Sequence, residues 1–320
     1  MQMNNIKNKK IYLAGHTGMV GSAILRELQK RGYKNIVYKN LNELDLKKQC
    51  DVEDFFKLYK PEIVIIAAAK VGGILANNTY RAEFLYDNLM IEANLIHSSY
   101  LNEVEKLVFL GSSCIYPKLA PQPLKEESLL SDYLEFTNEP YAIAKIAGIK
   151  LCENYYRQYG CNYISAMPTN LYGPYDNFNL KTSHVLPALI RKFHEAKTNK
   201  KDFVTIWGTG KPLREFMYVE DLANAIVFMM EKINAKDLYE NGLTHLNVGT
   251  GKDISISDLA VLIGKITKFK GEIKYDSSKP DGTPRKLMDV NRLNSLGWKY
   301  KTELEDGILK TYNFFKENYK

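Results

Sequence analysis

The first half of the chain alternates short runs of β-branched and aliphatic residues with longer segments of helical apolar spacing. This alternation favours a parallel sheet covered by helices on both faces, because parallel strands need long crossover connections. We predict strands at residues 11–15, 35–38, 62–68, 107–110 and 163–167, and helices at 21–31, 81–102 and 142–159. The pattern therefore predicts a doubly wound α/β fold with a parallel sheet.

The pattern becomes less regular after Pro174, where segments such as 197–202 and 276–285 have a surface-like composition. The chain contains no internal repeat and no low-complexity linker. We therefore expect a second, smaller lobe that is interleaved with the first rather than joined after it.

A glycine-rich loop follows the first predicted strand and opens a helix, with the spacing Gly-x-x-Gly-x-x-Gly. Glycines allow a tight turn and let a pyrophosphate approach the positive N-terminus of the helix. A tight strand-to-helix turn without a ligand is the alternative interpretation of the motif alone. The residues predicted to contact a dinucleotide here are Gly15, His16, Thr17, Gly18, Met19, Val20 and Gly21.

The end of the second predicted strand reads Tyr38-Lys39-Asn40 and lacks the acidic residue that would bind both ribose hydroxyls of NAD. Lys39 is suited to pair with a 2′-phosphate, so the sequence favours NADP(H) as the cofactor. Asp45 and Leu46, a little further along, are candidates for contacts with the adenine.

Tyr141 and Lys145 lie four residues apart on a predicted helix, downstream of Ser112. Residues with this spacing share one helix face, so the lysine ammonium is expected beside the tyrosine hydroxyl. A positive neighbour favours the ionised form of a phenol whose ordinary pKa is about 10. The three residues are therefore predicted to transfer a proton to or from a substrate oxygen during hydride transfer.

The chain has 320 residues and a net charge of +7, with the apolar and charged fractions of an ordinary globular protein. Its basic residues form no block interleaved with aromatics, so we expect no nucleic-acid partner. No apolar run approaches the roughly 20 residues that span a bilayer, and residues 1–10 are polar and basic, so we expect no membrane association, no signal peptide and a cytoplasmic location. The cysteines show neither metal-ligand spacing nor a disulfide framework, which predicts no metal site; they are Cys50, Cys114, Cys152 and Cys161.

Five motifs in a fixed order resemble the extended short-chain dehydrogenase/reductases and, within them, the GDP-L-fucose synthase family. They are AAAKVGG at 67–73, GSSCIYP at 111–117, NEPYAIAK at 138–145, MPTNLYGP at 167–174 and KPDGTPRK at 279–286. The resemblance runs nearly end to end. It implies NADPH-dependent conversion of GDP-4-keto-6-deoxy-D-mannose to GDP-L-fucose, by epimerisation at C3 and C5 and reduction at C4.

The resemblance also implies roles for matching residues. Ser112, Tyr141 and Lys145 would form the reductase triad, and Cys114 and His184 the acid/base pair for epimerisation. The residues that would hold the GDP-sugar are Lys192, Trp207, Arg214 and Asp281. Further cofactor contacts would come from Ala68, Lys145, Pro168, Thr169, Asn170, Leu171 and His184.

The resemblance further implies a division of the chain and an assembly. Residues 8–175 with about 216–250 would form the NADP-binding Rossmann domain, and about 176–215 with 251–320 the GDP-sugar-binding lobe. The long helices that contain Met90 and Tyr141 would pack against their copies to form a homodimer.

Several alternatives remain open from the sequence. Thr17 and Leu41 stand where the family often has basic residues, which weakens the case for NADPH over NADH. Cys114 could be a small buried side chain and His184 a structural residue beside a helix end. The enzyme could act only at C4, for example on a GDP-4-keto-heptose. A nucleotide-binding sensor without catalysis would be expected to lack Tyr141 or Lys145, and both are present.

Overall fold

The structure, a computed structural model, describes residues 6–180, 182–279 and 281–319. The first five residues of the polar N-terminus and Pro280 of the 279–286 motif lie outside the described residues. The strands are β1 Ile11–Ala14, β2 Ile36–Val37, β3 Ile63–Ile66, β4 Lys106–Leu110, β5 Tyr163–Pro168, β6 Asn170–Tyr172, β7 Phe203–Trp207, β8 Leu213–Tyr218, β9 Leu246–Val248, β10 Asp253–Ser255, β11 Glu272–Asp276 and β12 Arg285–Lys286. The helices are α1 Met19–Lys30, α2 Gln49–Tyr59, α3 Ile74–Thr79, α4 Arg81–Leu101, α5 Glu139–Tyr159, α6 Val185–Thr198, α7 Val219–Lys232, α8 Ala235–Tyr239, α9 Ile256–Thr267, α10 Asn291–Ser295 and α11 Leu304–Asn318.

Six strands form a central parallel sheet in the order β2-β1-β3-β4-β5-β9. The chain moves outward from β1 to β2 and then crosses back to β3 on the other side of β1. This reversal creates a crevice at the carboxyl ends of β1 and β3, the place where open α/β sheets bind ligands. The predicted doubly wound α/β class is confirmed. β1, β2 and β3 are shorter than their sequence patterns, whereas β4 and β5 are each one residue longer.

Alternate side chains of β1 explain why helices cover both faces of this sheet. Ile11 and Leu13 belong to the core formed with α1 and α7, whereas Tyr12 and Ala14 belong to the core formed with α2, α4 and α5. All four side chains are buried. Burial on both faces accounts for the nearly continuous apolar character of the strand.

A second region is built from smaller sheets and its own core. β8 pairs with β6, β10 and β12, and β7 pairs with β11. Buried residues of α6, α9 and α11 pack together with β7 and β8 in a third hydrophobic cluster. The described helices include none with the length and apolarity needed to cross a bilayer.

Glu215 on β8 ties this region to the ends of the main sheet. Its side chain is fully buried, and its Oε1 accepts hydrogen bonds from the backbone N–H groups of Thr250 (2.5 Å) and Gly251 (2.9 Å). Its Oε2 accepts from the N–H of Met288 at 2.8 Å, and its backbone carbonyl accepts from Asn170 Nδ2 at 2.8 Å. One residue therefore joins segments that follow β5, β9 and β12.

Candidate active site

The glycine loop lies at the crevice between β1 and β3. Gly15 has a φ of +89°, and a Cβ there would lie 2.6 Å from the backbone nitrogen of Ala68. A Cβ on Gly21 would collide with the carbonyl oxygen of Gly15, whereas one on Gly18 would lie 3.6 Å from that oxygen. The turn is tight because two of its three glycines leave no room for a side chain.

The N-terminus of α1 opens directly from this loop, with Gly18 as the residue that caps it. Met19 and Val20 form the first turn of α1 and are half-buried, while Thr17 is exposed. His16 stacks on Tyr38 with ring centroids 4.4 Å apart, and burial lowers the pKa of its imidazole. Its Nδ1 is buried without a hydrogen-bond partner. A glycine cradle, a helix N-terminus and an unpartnered polar atom together fit a dinucleotide pyrophosphate.

The end of β2 places Lys39 in a local ion pair. Its Nζ lies 3.1 Å from Glu43 Oε1 and 5.5 Å from the ring centroid of Tyr59. Hydrogen bonding to Glu43 raises the pKa of Lys39. Asp45 accepts a hydrogen bond from the backbone N–H of Lys47 at 3.1 Å. Lys39 is therefore charged and near the crevice, but Glu43 competes for it.

Residues 168–171 run along the other side of the sheet edge. The backbone N–H of Thr169 donates to the carbonyl of Val248 at 3.0 Å, and Asn170 is held by the carbonyl of Glu215. Leu171 packs against the main core. The contacts of Thr169, Asn170 and Leu171 fix the backbone of 168–171 next to the carboxyl ends of β5 and β9.

Leu46, the other residue expected near the adenine, has its backbone carbonyl held by Asn94, whose Nδ2 donates to it at 2.9 Å.

Ser112 and Cys114 share one short turn after β4. Ser112 precedes a single turn of 3₁₀ helix, Ser113–Ile115, and its Oγ accepts a hydrogen bond from the backbone N–H of Cys114 at 3.4 Å. The turn is anchored by Tyr116, whose hydroxyl donates to Asn247 Oδ1 at 2.5 Å and contacts His245 Nε2 at 2.7 Å. The fully buried partners hold the turn against the sheet.

Tyr141 and Lys145 lie on α5, as predicted, and the lysine ammonium is paired with Glu92 of α4. Lys145 Nζ lies 2.8 Å from Glu92 Oε1, 4.8 Å from the ring centroid of Phe109 and 5.7 Å from that of Tyr141. A buried carboxylate attracts the ammonium more strongly than a neutral phenol does. Burial raises the pKa of Tyr141 well above its ordinary value, the charges of Cys114 and Glu92 raise it further, and hydrogen bonding to Ser112 lowers it.

Lys286 of β12 links the two residues that were expected to act as acid and base. Burial raises the pKa of the Cys114 thiol, while the charge of Lys286 lowers it, as do Ser112 and Lys145. The surrounding protein lowers the pKa of His184, and the charge of Lys286 lowers it further. Cys114 and His184 therefore both lie within the field of one cation. Burial also lowers the pKa of Lys286 itself.

The four residues expected to hold the GDP-sugar lie on connected elements of the second region. Lys192 Nζ donates to the carbonyl of Thr205 at 3.1 Å and lies 5.4 Å from the ring centroid of Trp207, which is 56% exposed. Asp281 accepts from the backbone N–H of Thr209 at 2.7 Å, two residues after Trp207. Arg214 on β8 is the register partner of Lys286 on the neighbouring strand β12. Burial lowers the pKa of Arg214, and the charge of Asp281 opposes that effect.

Two charged residues near these groups were not predicted as site residues. Glu92 is 53 positions from Lys145 in the chain, and no sequence pattern connects them. Lys286 was recognised only as part of the 279–286 motif. Lys286 lies two residues after Pro284, on a strand of the second region. Nothing in that position indicates that its charge affects the pKa of Cys114.

A glycine-lined crevice at the switch point, next to a serine, a tyrosine and a lysine at this spacing, defines an extended short-chain dehydrogenase/reductase. The chain belongs to the NAD dependent epimerase/dehydratase family, which matches residues 11–249, and within it to the GDP-L-fucose synthase family. It is 56% identical to GDP-L-fucose synthase 1 of Arabidopsis thaliana over 98% of this chain and 94% of that protein. It is 54% identical to GDP-L-fucose synthase of Escherichia coli (strain K12) over 98% of each.

Among solved structures, the chain is similar to a GDP-mannoheptose C4 reductase from Campylobacter jejuni with NADP bound. The sequence identity is 44%, the TM-score is 0.89, and the alignment covers 97% of this chain and 99% of that one. The family and fold expected from the five motifs are therefore confirmed.

Proposed function

We propose that the protein is an NADPH-dependent 3,5-epimerase/4-reductase that converts GDP-4-keto-6-deoxy-D-mannose to GDP-L-fucose. The observation that carries this proposal is that Cys114 lies on the same turn as Ser112, with its backbone N–H donating to Ser112 Oγ at 3.4 Å. A reductase needs only Ser112, Tyr141 and Lys145, whereas inversion at C3 and C5 needs a base and an acid in addition. Membership of the GDP-L-fucose synthase family supports the same assignment.

The epimerisation begins at carbons made acidic by the C4 carbonyl. A base removes the proton from C3 or C5, the C–H electron pair forms a C=C bond, and O4 becomes an enolate oxygen. Hydroxyl groups of Tyr141 and Ser112 would donate hydrogen bonds to O4 and stabilise its charge. An acid on the opposite face of the ring then returns a proton to the same carbon and restores the carbonyl with inverted configuration.

Cys114 and His184 are the proposed acid/base pair. With the thiol pKa raised and the imidazole pKa lowered, both groups are neutral near pH 7, so His184 can accept a proton and Cys114 can donate one. Transfer of one proton from Cys114 to His184 reverses these roles. Lys286 favours the thiolate and disfavours the imidazolium. Its charge therefore promotes loss of the Cys114 proton and opposes gain of a proton by His184.

The reduction uses the same carbonyl after both centres are inverted. The glycine loop, Ala68, the 168–171 segment, Lys145 and His184 would hold NADP(H), with Lys39 near its 2′-phosphate and Asp45 and Leu46 near the adenine. When bound, NADPH supplies the hydride that is added to C4. Tyr141 gives its proton to O4, and Lys145 supplies positive charge near the phenol. Lys192, Trp207, Arg214 and Asp281 would hold the GDP-sugar.

Incubation with GDP-4-keto-6-deoxy-D-mannose and NADPH in D₂O, followed by NMR of the product, tests the proposal. Epimerisation takes a solvent proton at C3 and at C5, so GDP-L-fucose labelled with deuterium at both carbons is the expected product. NADPH oxidation that leaves both carbons unlabelled would contradict the epimerase assignment. Absence of NADPH oxidation would contradict the reductase assignment as well.

A C4-only reductase of a related GDP-4-keto sugar is the second candidate. It is favoured by the similarity to the Campylobacter C4 reductase, whose fold matches over nearly the whole chain. The same D₂O experiment separates it from the first candidate, since direct reduction exchanges neither proton. Assays with GDP-4-keto-heptose and GDP-4-keto-6-deoxy-D-mannose side by side establish which sugar is used.

We also propose the division into two regions expected from the sequence. Residues 8–175 and about 216–250 would hold the cofactor, and about 176–215 and 251–320 would hold the GDP-sugar.

We propose a homodimer formed through α4 and α5, whose exposed apolar side chains include Tyr86 and Ile143. Sedimentation of the purified protein tests the dimer. The free thiols of all four cysteines support a cytoplasmic location, which cell fractionation tests.

A further inference from the structure

Glu92 and Lys145 form a buried ion pair between the two longest helices that cover one face of the sheet. The side chains are 1% and 2% exposed, and Lys145 Nζ lies 2.8 Å from Glu92 Oε1. Neither Glu92 oxygen has a hydrogen bond of good alignment within the described structure. Among the described residues, the Lys145 ammonium is the one charged group that lowers the pKa of this carboxylate.

The Glu92 carboxylate is closely packed by its neighbours. A Cβ on Gly148 would lie 2.9 Å from Glu92 Oε2 and would collide with Phe109, so α5 needs a glycine where it passes over Glu92. The titratable groups within reach of Glu92 are Lys145, Tyr141 and Cys152, all on α5. In the described residues of α2 and β3, which also pack against α4, no charged group contributes to the pKa of Glu92.

A buried carboxylate that faces a catalytic lysine affects the tyrosine in two ways. Its negative charge raises the pKa of Tyr141 directly, and its attraction draws the ammonium toward itself, 5.7 Å from the centre of the tyrosine ring. At the same time it is the counterion of the Lys145 ammonium in an apolar site, where an unpaired buried charge is costly.

We propose that Glu92 is a positioning residue for the reduction: it holds the Lys145 ammonium at a set distance from the ring of Tyr141, the proposed proton donor. This inference rests on the proposed reduction of a 4-keto sugar by Tyr141. Burial raises the pKa of Glu92 to about 7, with Lys145 opposing that rise, so the pair changes its charge within the working pH range.

The kinetic test compares Glu92→Gln with the unmutated protein and with Glu153→Gln. Loss of the charge of Glu92 lowers the pKa of Tyr141, so the alkaline limb of the kcat–pH profile for NADPH oxidation should move down by about 1 pH unit. KM for the GDP-sugar should stay the same. Glu153 is a matched control, because it is a mostly buried glutamate on α5 paired with Lys150 (2.9 Å) and Arg157 but not with Lys145.

Glu92→Asp separates charge from position. The shorter side chain keeps the negative charge but draws the ammonium further from Tyr141, so the alkaline limb should stay within a few tenths of a unit while kcat falls. An unmoved alkaline limb in Glu92→Gln, or an equal shift in Glu153→Gln, overturns the proposal.

A second measurement applies if Glu92→Gln does not fold, and it does not depend on activity. The pKa of Glu92 is raised in the folded state, so ionising it costs stability as the pH rises from about 4 through 7. Lys145→Met removes the counterion and raises that pKa further. The variant should therefore lose stability between about pH 7 and 9, where the unmutated protein has passed the titration of Glu92.

Equal pH trends for Lys145→Met and the unmutated protein in thermal unfolding would show that the pair is not coupled and would overturn the proposal. Absence of NADPH oxidation by the unmutated protein removes the proposed function and the role of Glu92 in it, whereas the unfolding curves still report the coupling. The two failures are therefore distinguishable.

Discussion

The backbone N–H of Cys114 donates to Ser112 Oγ, so a residue of the proposed epimerase pair and a residue of the proposed reductase triad share one turn. A movement of this turn changes both chemistries together. Under the proposed function, the arrangement would let one carbonyl be activated twice, because the hydroxyl proposed to contact O4 and the thiol proposed to act at the ring carbons are two positions apart in the chain.

Tyr141→Phe should lower the rate of NADPH oxidation by roughly 10²–10⁴, since the variant keeps the ring and loses the proton donor. Binding of the GDP-sugar, measured by calorimetry, should persist. Tyr155→Phe is the matched control on the same helix, where the hydroxyl contacts only His97 Nδ1 at 2.6 Å among the hydrogen bonds described. Near-normal turnover in Tyr141→Phe would exclude the assigned role.

Cys114→Ser should suppress deuterium incorporation at C3 and C5 in D₂O, because a serine hydroxyl is a much weaker acid than a thiol and a far weaker base than a thiolate. Hydride transfer to an already epimerised substrate should remain. Cys161→Ser, a change at a half-buried cysteine after α5, serves as the control. Normal labelling in Cys114→Ser would assign the proton transfers to another residue.

Lys286→Met should raise the pKa of both Cys114 and His184, because it removes a positive charge that favours the thiolate and disfavours the imidazolium. The pH at which C3 and C5 begin to exchange should therefore rise by about 1 unit. Exchange followed by NMR between pH 6 and 9 measures the shift. A shift to lower pH would mean that Lys286 does not act through these two groups.

Lys39→Ala should raise KM for NADPH severalfold and leave KM for NADH unchanged, since only NADPH carries the 2′-phosphate that Lys39 is proposed to pair with. Glu43→Gln offers the opposite change. Glu43 lies 3.1 Å from Lys39 Nζ and competes with a phosphate, so its neutralisation should lower KM for NADPH. A preference for NADH in the unmutated protein would contradict the cofactor assignment directly.

Gly21→Ala should destabilise the protein by about 1–3 kcal/mol, because the new methyl group collides with the Gly15 carbonyl and displaces the loop. Gly18→Ala introduces the same methyl group 3.6 Å from that oxygen, an ordinary contact, and should cost much less. Urea unfolding of both variants measures the difference. Equal losses of stability in the two variants would show that the loop has more room at Gly21 than the structure indicates.

The sequence predicted those features that depend on local spacing. The loop between β1 and α1, the helix of Tyr141 and Lys145 and the buried strands follow from patterns within a few residues, and the structure has them. The direction of the Lys145 side chain did not follow, because spacing on one helix says nothing of Glu92 on another. Lys286 is likewise 172 positions from Cys114 in the chain, and no local pattern connects them.

The hydrogen bonds of Glu215 to three separate backbone segments have an evolutionary consequence. They fix β8 relative to the sheet edge where Thr169 and Asn170 lie, so side chains on the outer strands can be exchanged without moving the atoms around O4. Sugar preference and hydride geometry can then change independently under selection. We expect members of the family with different sugars to differ mainly in exposed residues around 207–209 and 281–283, and to share the inner framework.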